Sequence, residues 1–238
     1  MWLRILFMGT PAFACPSLEI LSQKEKLIVV VTQPARPAGR GRTIVSSAIK
    51  ELAERKNIPL YEVENVNSHF FINKIRQIAP DIVVVVAFGQ ILSSSFLSIP
   101  RICSLNLHPS LLPRYRGPAP IPWAIIRGDK ETGVTIQRIE KGIDEGRIII
   151  QKKIPINFSD TAKDLEERLS FLGAELLLEA IKRIKEGSVE YVVQDERQVS
   201  YAPKIEKKYG LIKWEKSSYE IYNLVLSLIH ISEPTRPL

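Results

Sequence analysis

Apolar runs alternate with amphipathic segments along most of the chain. Leu3–Met8, Leu27–Thr32 and Asp81–Phe88 are apolar without alternation, which is typical of strands buried on both faces of a sheet. The segments between them carry apolar residues at helical spacing. Strands that alternate with helices in this way predict an α/β fold with a mostly parallel sheet.

The same patterns give bounds for each element. The predicted strands are Leu3–Met8, Leu27–Thr32, Ile58–Val63, Asp81–Phe88, Ile102–Leu107, Thr132–Ile139, Arg147–Gln151 and Val189–Val193. The predicted helices are Ala14–Gln23, Ile44–Lys56, His69–Ile78, Ile121–Arg127, Thr161–Glu186 and Ser218–Val225. The longest helix has a capping-box pair, Thr161 and Asp164, at its start and Gly187 after its end.

The most informative stretch runs from Ser104 to Pro120. Its first residues continue a strand, and Pro109 should end that strand because proline cannot donate to a central ladder. Side chains alternate along a strand, so Asn106 and His108 should point to one face at its carboxyl end. Ligands bind at this edge of open α/β sheets.

An amide beside an imidazole suits acyl transfer. The NH2 group of Asn106 can donate to an oxygen that gains negative charge, and His108 can carry a proton near neutral pH. A reaction through a tetrahedral intermediate needs both. The alternative is a buried polar pair satisfied by the backbone, and spacing alone does not decide between the two.

Three motifs stand out: Asn106-x-His108 leading into Ser110–Gly117, Gly9–Ala14 after the first strand, and Thr32–Arg42 after the second. The first resembles the signature of the 10-formyltetrahydrofolate-dependent formyltransferases. The other two resemble the branch of that family that formylates methionyl-tRNA. The resemblance covers residues 3–225.

This resemblance implies both a reaction and a fold. The reaction transfers the formyl group of 10-formyltetrahydrofolate to the α-amino group of methionyl-initiator tRNA, for the initiation of translation. The fold is a Rossmann-like formyltransferase domain with a mostly parallel sheet, followed by a linker and an OB-like β-barrel that binds tRNA. The folate is a formyl-donor substrate, and no metal is implied.

The resemblance also assigns site residues. Asp144 lies in a Gly-flanked turn and, taken alone, is a turn former that sequence cannot connect to His108. By resemblance it approaches the histidine, so that Asn106, His108 and Asp144 form the catalytic trio. The folate-binding wall implied in the same way is Ser110, Leu111, Leu112 and Pro113, with Phe88 and Ile91 expected on the neighbouring side of the cleft.

The loop Thr32–Arg42 is longer than most strand-to-helix connections, and its prolines and glycines predict irregular structure. It places Arg36, Arg40 and Arg42 near the carboxyl edge of the sheet, and arginine suits phosphate contacts. By resemblance the loop inserts into the acceptor arm of initiator tRNA. The alternative is an ordinary solvated basic loop.

The pattern predicts four parts. Residues 1–186 form the catalytic domain, 187–206 a linker, and 207–225 the truncated start of the tRNA-binding domain. Leu226–Arg236 resembles the translation of a sequencing-library adapter, so we expect residues 226–238 to be a non-native tail.

Composition adds little to this picture. A net charge of +7 favours a polyanionic partner. Cys15 and Cys103 fit no metal spacing, and both are expected to be buried, reduced thiols of a cytoplasmic protein. His69 and His230 add no metal site. The first turn lacks a dinucleotide or phosphate-loop glycine pattern, no membrane span is expected, and a monomer is expected.

Two other functions remain open from the sequence. One is a formyltransferase that acts on a small amine, such as an amino sugar nucleotide or glycinamide ribonucleotide, which the basic loop disfavours. The other is a non-catalytic nucleic-acid-binding module in which Asn106 and His108 are structural.

Overall fold

The computed structural model describes residues 3–38 and 43–228. The strands are β1 (Arg4–Gly9), β2 (Lys26–Thr32), β3 (Arg36–Ala38), β4 (Thr43–Val45), β5 (Leu60–Glu62), β6 (Ile82–Val86), β7 (Cys103–His108), β8 (Glu131–Arg138) and β9 (Ile148–Pro155). The helices are α1 (Cys15–Lys24), α2 (Ala48–Arg55), α3 (His69–Ile78), α4 (Ser94–Leu97), α5 (Pro120–Ile126), α6 (Ala162–Glu186) and α7 (Ser218–Leu228).

Seven of the strands form one sheet, in the order β5-β2-β1-β6-β7-β8-β9. The pairs from β5 through β7 are parallel, whereas β8 and β9 add on as antiparallel strands. The predicted α/β, Rossmann-like fold with a mostly parallel sheet is therefore confirmed. The carboxyl ends of β1, β2, β6 and β7 lie at one edge of the sheet. The three motifs singled out in the sequence lie at this edge, at the ends of β1, β2 and β7.

The central strands are buried on both faces, as their lack of alternation predicts. On β1, Ile5 and Phe7 belong to one apolar cluster, while Leu6 and Met8 belong to a second cluster on the opposite face. Helices α1, α2, α5 and α6 supply the first cluster, and α3 and α4 supply the second. The sheet is thus covered on both sides, which leaves its carboxyl edge as the place for a site.

Helix α6 follows the sequence pattern closely. Thr161 accepts a hydrogen bond from the Asp164 backbone, and the Asp164 carboxylate accepts one from the Thr161 backbone, so the predicted capping box is present. Gly187 ends the helix in the left-handed conformation. The apolar face packs on the sheet through Leu165, Leu169 and other buried residues.

Two predictions about the segment between β2 and α2 were wrong. The Thr32–Arg42 loop contains regular structure, because β3 and β4 form a separate two-stranded antiparallel ribbon. Helix α2 begins at Ala48 rather than Ile44, since the Ser47 side chain accepts a hydrogen bond from the Lys50 backbone and caps it there.

The region after α6 has little regular structure until α7. The predicted strand Val189–Val193 is only an isolated bridge between Val192 and Ile148. Helix α7 extends to Leu228, past its predicted end at Val225, so the first residues of the predicted tail are helical. Residues 229–238 lie outside the described part. No strand lies between 207 and 228, so the barrel and the domain boundaries stay predictions.

The two cysteines are free thiols. Cys103 on β7 is buried, as predicted, and burial raises the pKa of its thiol to about 11. Cys15 is only partly buried, in contrast to the prediction. Within residues 3–38 and 43–228, no helix combines the length and apolar character needed to cross a membrane.

Helix α6 offers a matched test of the core. Leu169 is fully buried against the sheet, whereas Phe171, two residues on, is exposed. We expect Leu169→Ala to lower the free energy of unfolding by about 2–5 kcal/mol because it leaves a cavity. Phe171→Ala should change that free energy by less than about 0.5 kcal/mol. Urea unfolding measures both, and equal losses would contradict this packing.

Candidate active site

Strand β7 ends at His108 immediately before Pro109, as predicted. Asn106 and His108 lie on the same face, because the side chains of both approach the carboxylate of Asp144. That carboxylate belongs to the turn between β8 and β9, more than thirty residues further along the chain. The structure therefore brings Asp144, which the sequence could connect only by resemblance, to the pair that the strand pattern had placed on one face.

Four groups surround the Asp144 carboxylate. Its Oδ1 accepts hydrogen bonds from Asn106 Nδ2 at 3.1 Å and from Gln137 Nε2 at 3.0 Å. Its Oδ2 accepts one from the Gly117 backbone at 2.9 Å and lies 3.6 Å from His108 Nδ1. These five residues are called the Asp144 cluster below. Both oxygens of this part-buried carboxylate therefore have polar partners, two amides at Oδ1 and a backbone N–H and the imidazole at Oδ2.

His108 is buried, and both of its ring nitrogens face acceptors. Nε2 lies 2.9 Å from the Tyr115 carbonyl oxygen, which can only accept, so Nε2 carries the hydrogen of that bond. Nδ1 faces the Asp144 carboxylate. The imidazolium form, with a hydrogen on each nitrogen, is the form that can donate to both partners.

The backbone around the cluster is strained at two positions. Asp144 has a φ of 54° and Tyr115 a φ of 62°, both in the left-handed region. Such a conformation costs a non-glycine residue about 1–3 kcal/mol and persists where surrounding contacts fix it. Here the side chain of Asp144 and the carbonyl of Tyr115 are both held by hydrogen bonds of the cluster.

Two glycines leave space that the cluster needs. A side chain at Gly117, whose φ is 111°, would meet the Ala202 carbonyl oxygen at 2.9 Å. A side chain at Gly146 would meet the Arg138 carbonyl oxygen at 1.7 Å. The loop after β7 and the turn that carries Asp144 can approach their neighbours only because these positions lack a Cβ atom.

Comparisons with known proteins agree with this geometry. The family model described as "Formyl transferase" matches residues 3–181. The methionyl-tRNA formyltransferase of Pelobacter propionicus is 44% identical over 225 residues, which cover 94% of this chain and 70% of that protein. The enzyme of the same name from Geobacter metallireducens is 45% identical over 224 residues, with coverages of 94% and 72%. The chain belongs to the methionyl-tRNA formyltransferase family.

A solved N-formyltransferase has the same fold as this chain. The N-formyltransferase from Helicobacter canadensis, solved in complex with folinic acid and dTDP-3-aminofucose, has a TM-score of 0.72 and is 25% identical. The match covers 94% of this chain and 80% of that one. The predicted family and enzyme class are thereby confirmed.

In this member of the methionyl-tRNA formyltransferase family, the predicted folate wall is anchored to β8 and β9. Thr135 Oγ1 donates to the Ser110 carbonyl at 2.6 Å and accepts from the Leu112 backbone at 3.1 Å. Gln151 Nε2 donates to the Leu112 carbonyl at 2.8 Å. Leu111 and Pro113 stay partly exposed, whereas Leu112 is buried. Thr135 and Gln151 fix the loop, and neither was predicted from the sequence.

The other predicted wall residues lie in contrasting surroundings. Phe88 is only 1% exposed, and its side chain packs in the second apolar cluster. Its backbone carbonyl is the group that makes polar contacts at the carboxyl edge of the sheet. That carbonyl accepts from Thr10 Oγ1 at 3.2 Å and from Gln33 Nε2 at 2.5 Å. Ile91 is 75% exposed. Folate contacts by Phe88 and Ile91 stay predictions.

The predicted tRNA-binding arginines are only partly described. Arg36 begins β3 and is exposed, as a phosphate contact requires. Arg40 and Arg42 lie outside the described residues. Among residues 3–38 and 43–228, no group of three His, Cys, Asp or Glu side chains is arranged to hold a metal ion.

Gln137 is the cluster member that the sequence analysis missed. It lies directly opposite Asn106 in the antiparallel pairing of β7 with β8. Cross-strand neighbours on one face lie close together, so the two amides reach the same carboxylate oxygen. The sequence shows an amide on each of these two strands, Asn106 and Gln137. It does not show the register of the strands, which is what sets the two amides side by side.

A glycine pair tests how tightly the cluster is packed. We expect Gly187→Ala, at a φ of 68° with no atom within 4 Å, to lose about 1 kcal/mol of unfolding free energy from backbone strain alone. Gly117→Ala should lose at least about 1 kcal/mol more, since its Cβ also meets the Ala202 backbone. Urea unfolding of both variants measures the two losses of unfolding free energy. Equal losses would show that the Ala202 backbone moves away from the added Cβ without cost.

Proposed function

We propose that this chain transfers the formyl group of 10-formyltetrahydrofolate to the α-amino group of methionyl-initiator tRNA, using Asn106, His108 and Asp144. The observation that carries the proposal is the convergence of an amide, an imidazole and a carboxylate at the carboxyl edge of the sheet. These are an oxyanion donor, a proton carrier and an ion that orients both.

The amide and the imidazolium stabilise the intermediate. The methionyl nitrogen attacks the formyl carbon, and the formyl oxygen becomes an oxyanion. The NH2 group of Asn106 has two hydrogens, and its bond to Asp144 uses one of them, so the second is available to the oxyanion. Protonated His108, on the same strand face, adds positive charge beside it.

The carboxylate and the imidazole balance the protons. Attack forms a C–N bond and requires the amine to lose a proton; collapse breaks the bond from the formyl carbon to N10, which gains one. Asp144 can accept the first proton and His108 can supply the second, and their separation of 3.6 Å between Oδ2 and Nδ1 allows exchange through a small shift or a water. The products are formyl-methionyl-tRNA and tetrahydrofolate.

The identity of the acceptor rests on similarity and charge. The relatives at 44–45% identity are methionyl-tRNA formyltransferases, whereas the protein solved with an amino sugar nucleotide is 25% identical. The net charge of +7 and the exposed Arg36 at the sheet edge suit a polyanion. We place Arg36, Arg40 and Arg42 at the tRNA, and we expect the chain to act as a cytoplasmic monomer.

An acceptor comparison tests the proposal. Purified chain is mixed with 10-formyltetrahydrofolate and, in separate reactions, with methionyl-initiator tRNA, glycinamide ribonucleotide and a dTDP-amino sugar. We expect tetrahydrofolate release only with the aminoacylated tRNA. Formylation of a small amine alone would reassign the acceptor, and no release with any acceptor would favour a binding module.

Replacement of the oxyanion donor tests the mechanism. We expect Asn106→Ala to lower turnover by about 10²–10³-fold, which is typical for the loss of one oxyanion-hole donor. The dissociation constant for the folate should change little, because the wall residues remain. Steady-state formylation and fluorescence titration with folate measure the two. Near-normal turnover would mean that Asn106 has another role.

A further inference from the structure

Gln194 lies beneath the turn that carries Asp144, although it belongs to the segment after α6. Its side chain is 6% exposed. Its Nε2 donates to two backbone carbonyls of the turn, those of Asp144 and Gly146, each at 2.8 Å. The side chain amide therefore holds the backbone on both sides of Glu145, next to the catalytic carboxylate.

The other end of the Gln194 amide is fixed by Arg116. Its Oε1 accepts from Arg116 Nε at 3.1 Å and from Arg116 Nη2 at 2.9 Å. The Arg116 side chain is 1% exposed and also pairs with Glu196 at 2.8 Å. Burial opposes the charge of the guanidinium, but the hydrogen bond and charge of Glu196 outweigh it and raise the pKa of Arg116. The arginine is thus a permanent cation that orients the amide oxygen toward itself and the NH2 group toward the turn.

The segment that carries Gln194 is docked on the loop after β7 by its backbone. The Arg116 N–H donates to the Ser200 carbonyl at 2.8 Å, and the Ala202 N–H donates to the Arg116 carbonyl at 2.8 Å. The Tyr115 N–H donates to Ser200 Oγ at 2.9 Å. The predicted linker is therefore attached to Tyr115, whose carbonyl accepts the His108 hydrogen bond, and to Arg116, the residue that follows it.

We propose that Gln194 is a positioning residue for formyl transfer, which sets the place of the Asp144 carboxylate by holding its turn against Arg116. The inference rests on the proposed function for its effect on turnover. Its effect on geometry is independent of that function, because the contacts link Gln194 to Asp144 without any substrate. Through this contact the segment between the catalytic domain and the predicted tRNA-binding domain acts on the catalytic turn.

Gln194→Glu separates the two ends of the side chain. The glutamate keeps the size and an acceptor for Arg116, but it replaces the NH2 donor with an oxygen that faces two carbonyls. We expect turnover to fall about 10- to 100-fold, as misplacement of a catalytic group does, with the KM for the folate within about twofold. Gln198→Glu is the matched control, because Gln198 is exposed and its side-chain amide donates to Asp195 of its own segment.

A second readout does not depend on activity. The chain has three histidines, so the ring ¹H–¹⁵N signals of His108 can be assigned by their loss in His108→Asn. We expect these signals to move in Gln194→Glu toward their positions in Asp144→Asn and to stay in place in Gln198→Glu. If the glutamate variant does not fold, turnover and the His108 signals are measured in Gln194→Met instead, whose side chain is of similar size and carries no charge.

The outcomes distinguish this inference from the proposed function. Turnover within twofold of the unaltered chain, or His108 signals that do not move in a folded Gln194 variant, would overturn the positioning role. If the unaltered chain formylates no acceptor, the proposed function fails, while the His108 signals still report whether Gln194 places Asp144.

Discussion

A part-buried carboxylate is stable only when hydrogen-bond donors surround it, and the candidate site depends on meeting this need at Asp144. The donors come from separate parts of the chain: Asn106 from β7, Gln137 from β8, and the Gly117 backbone from the loop after β7. Gln137 lies on the strand that leads into the Asp144 turn, whereas Asn106 reaches the same carboxylate because β7 pairs with β8 in the register that sets Asn106 opposite Gln137. The same pairing places His108 beside the carboxylate. The site is therefore formed only when β7 and β8 are paired in this register.

The sequence predicted the parts of this arrangement that local rules control. Unbroken apolar runs identified the buried strands, and the alternation along β7 with Pro109 after it placed Asn106 and His108 on one face. The position of Asp144 beside the histidine could not be predicted by local rules. A turn residue carries no local signal of its tertiary partner, so only resemblance connected it to the histidine. Its left-handed backbone and its four contacts became visible with the structure.

The errors have physical causes as well. Ile44 continues an apolar pattern, but the Ser47 hydroxyl caps the following helix and leaves the preceding residues to pair as a ribbon. The polar composition and weak periodicity of the segment from Gln194 indicated a linker. Its polar groups instead bond to Arg116 and to the turn of Asp144, at separations of 78 and 50 residues along the chain. Periodicity cannot report contacts of that range.

The most direct test of the central claim is the position of the formyl group in a crystal of this chain with a stable 10-formyl folate analogue. We expect the formyl oxygen to lie within hydrogen-bond distance of Asn106 Nδ2, with His108 and Asp144 on the same side of the formyl carbon. A formyl group bound away from these three side chains, or a pocket closed by packed residues, would contradict it.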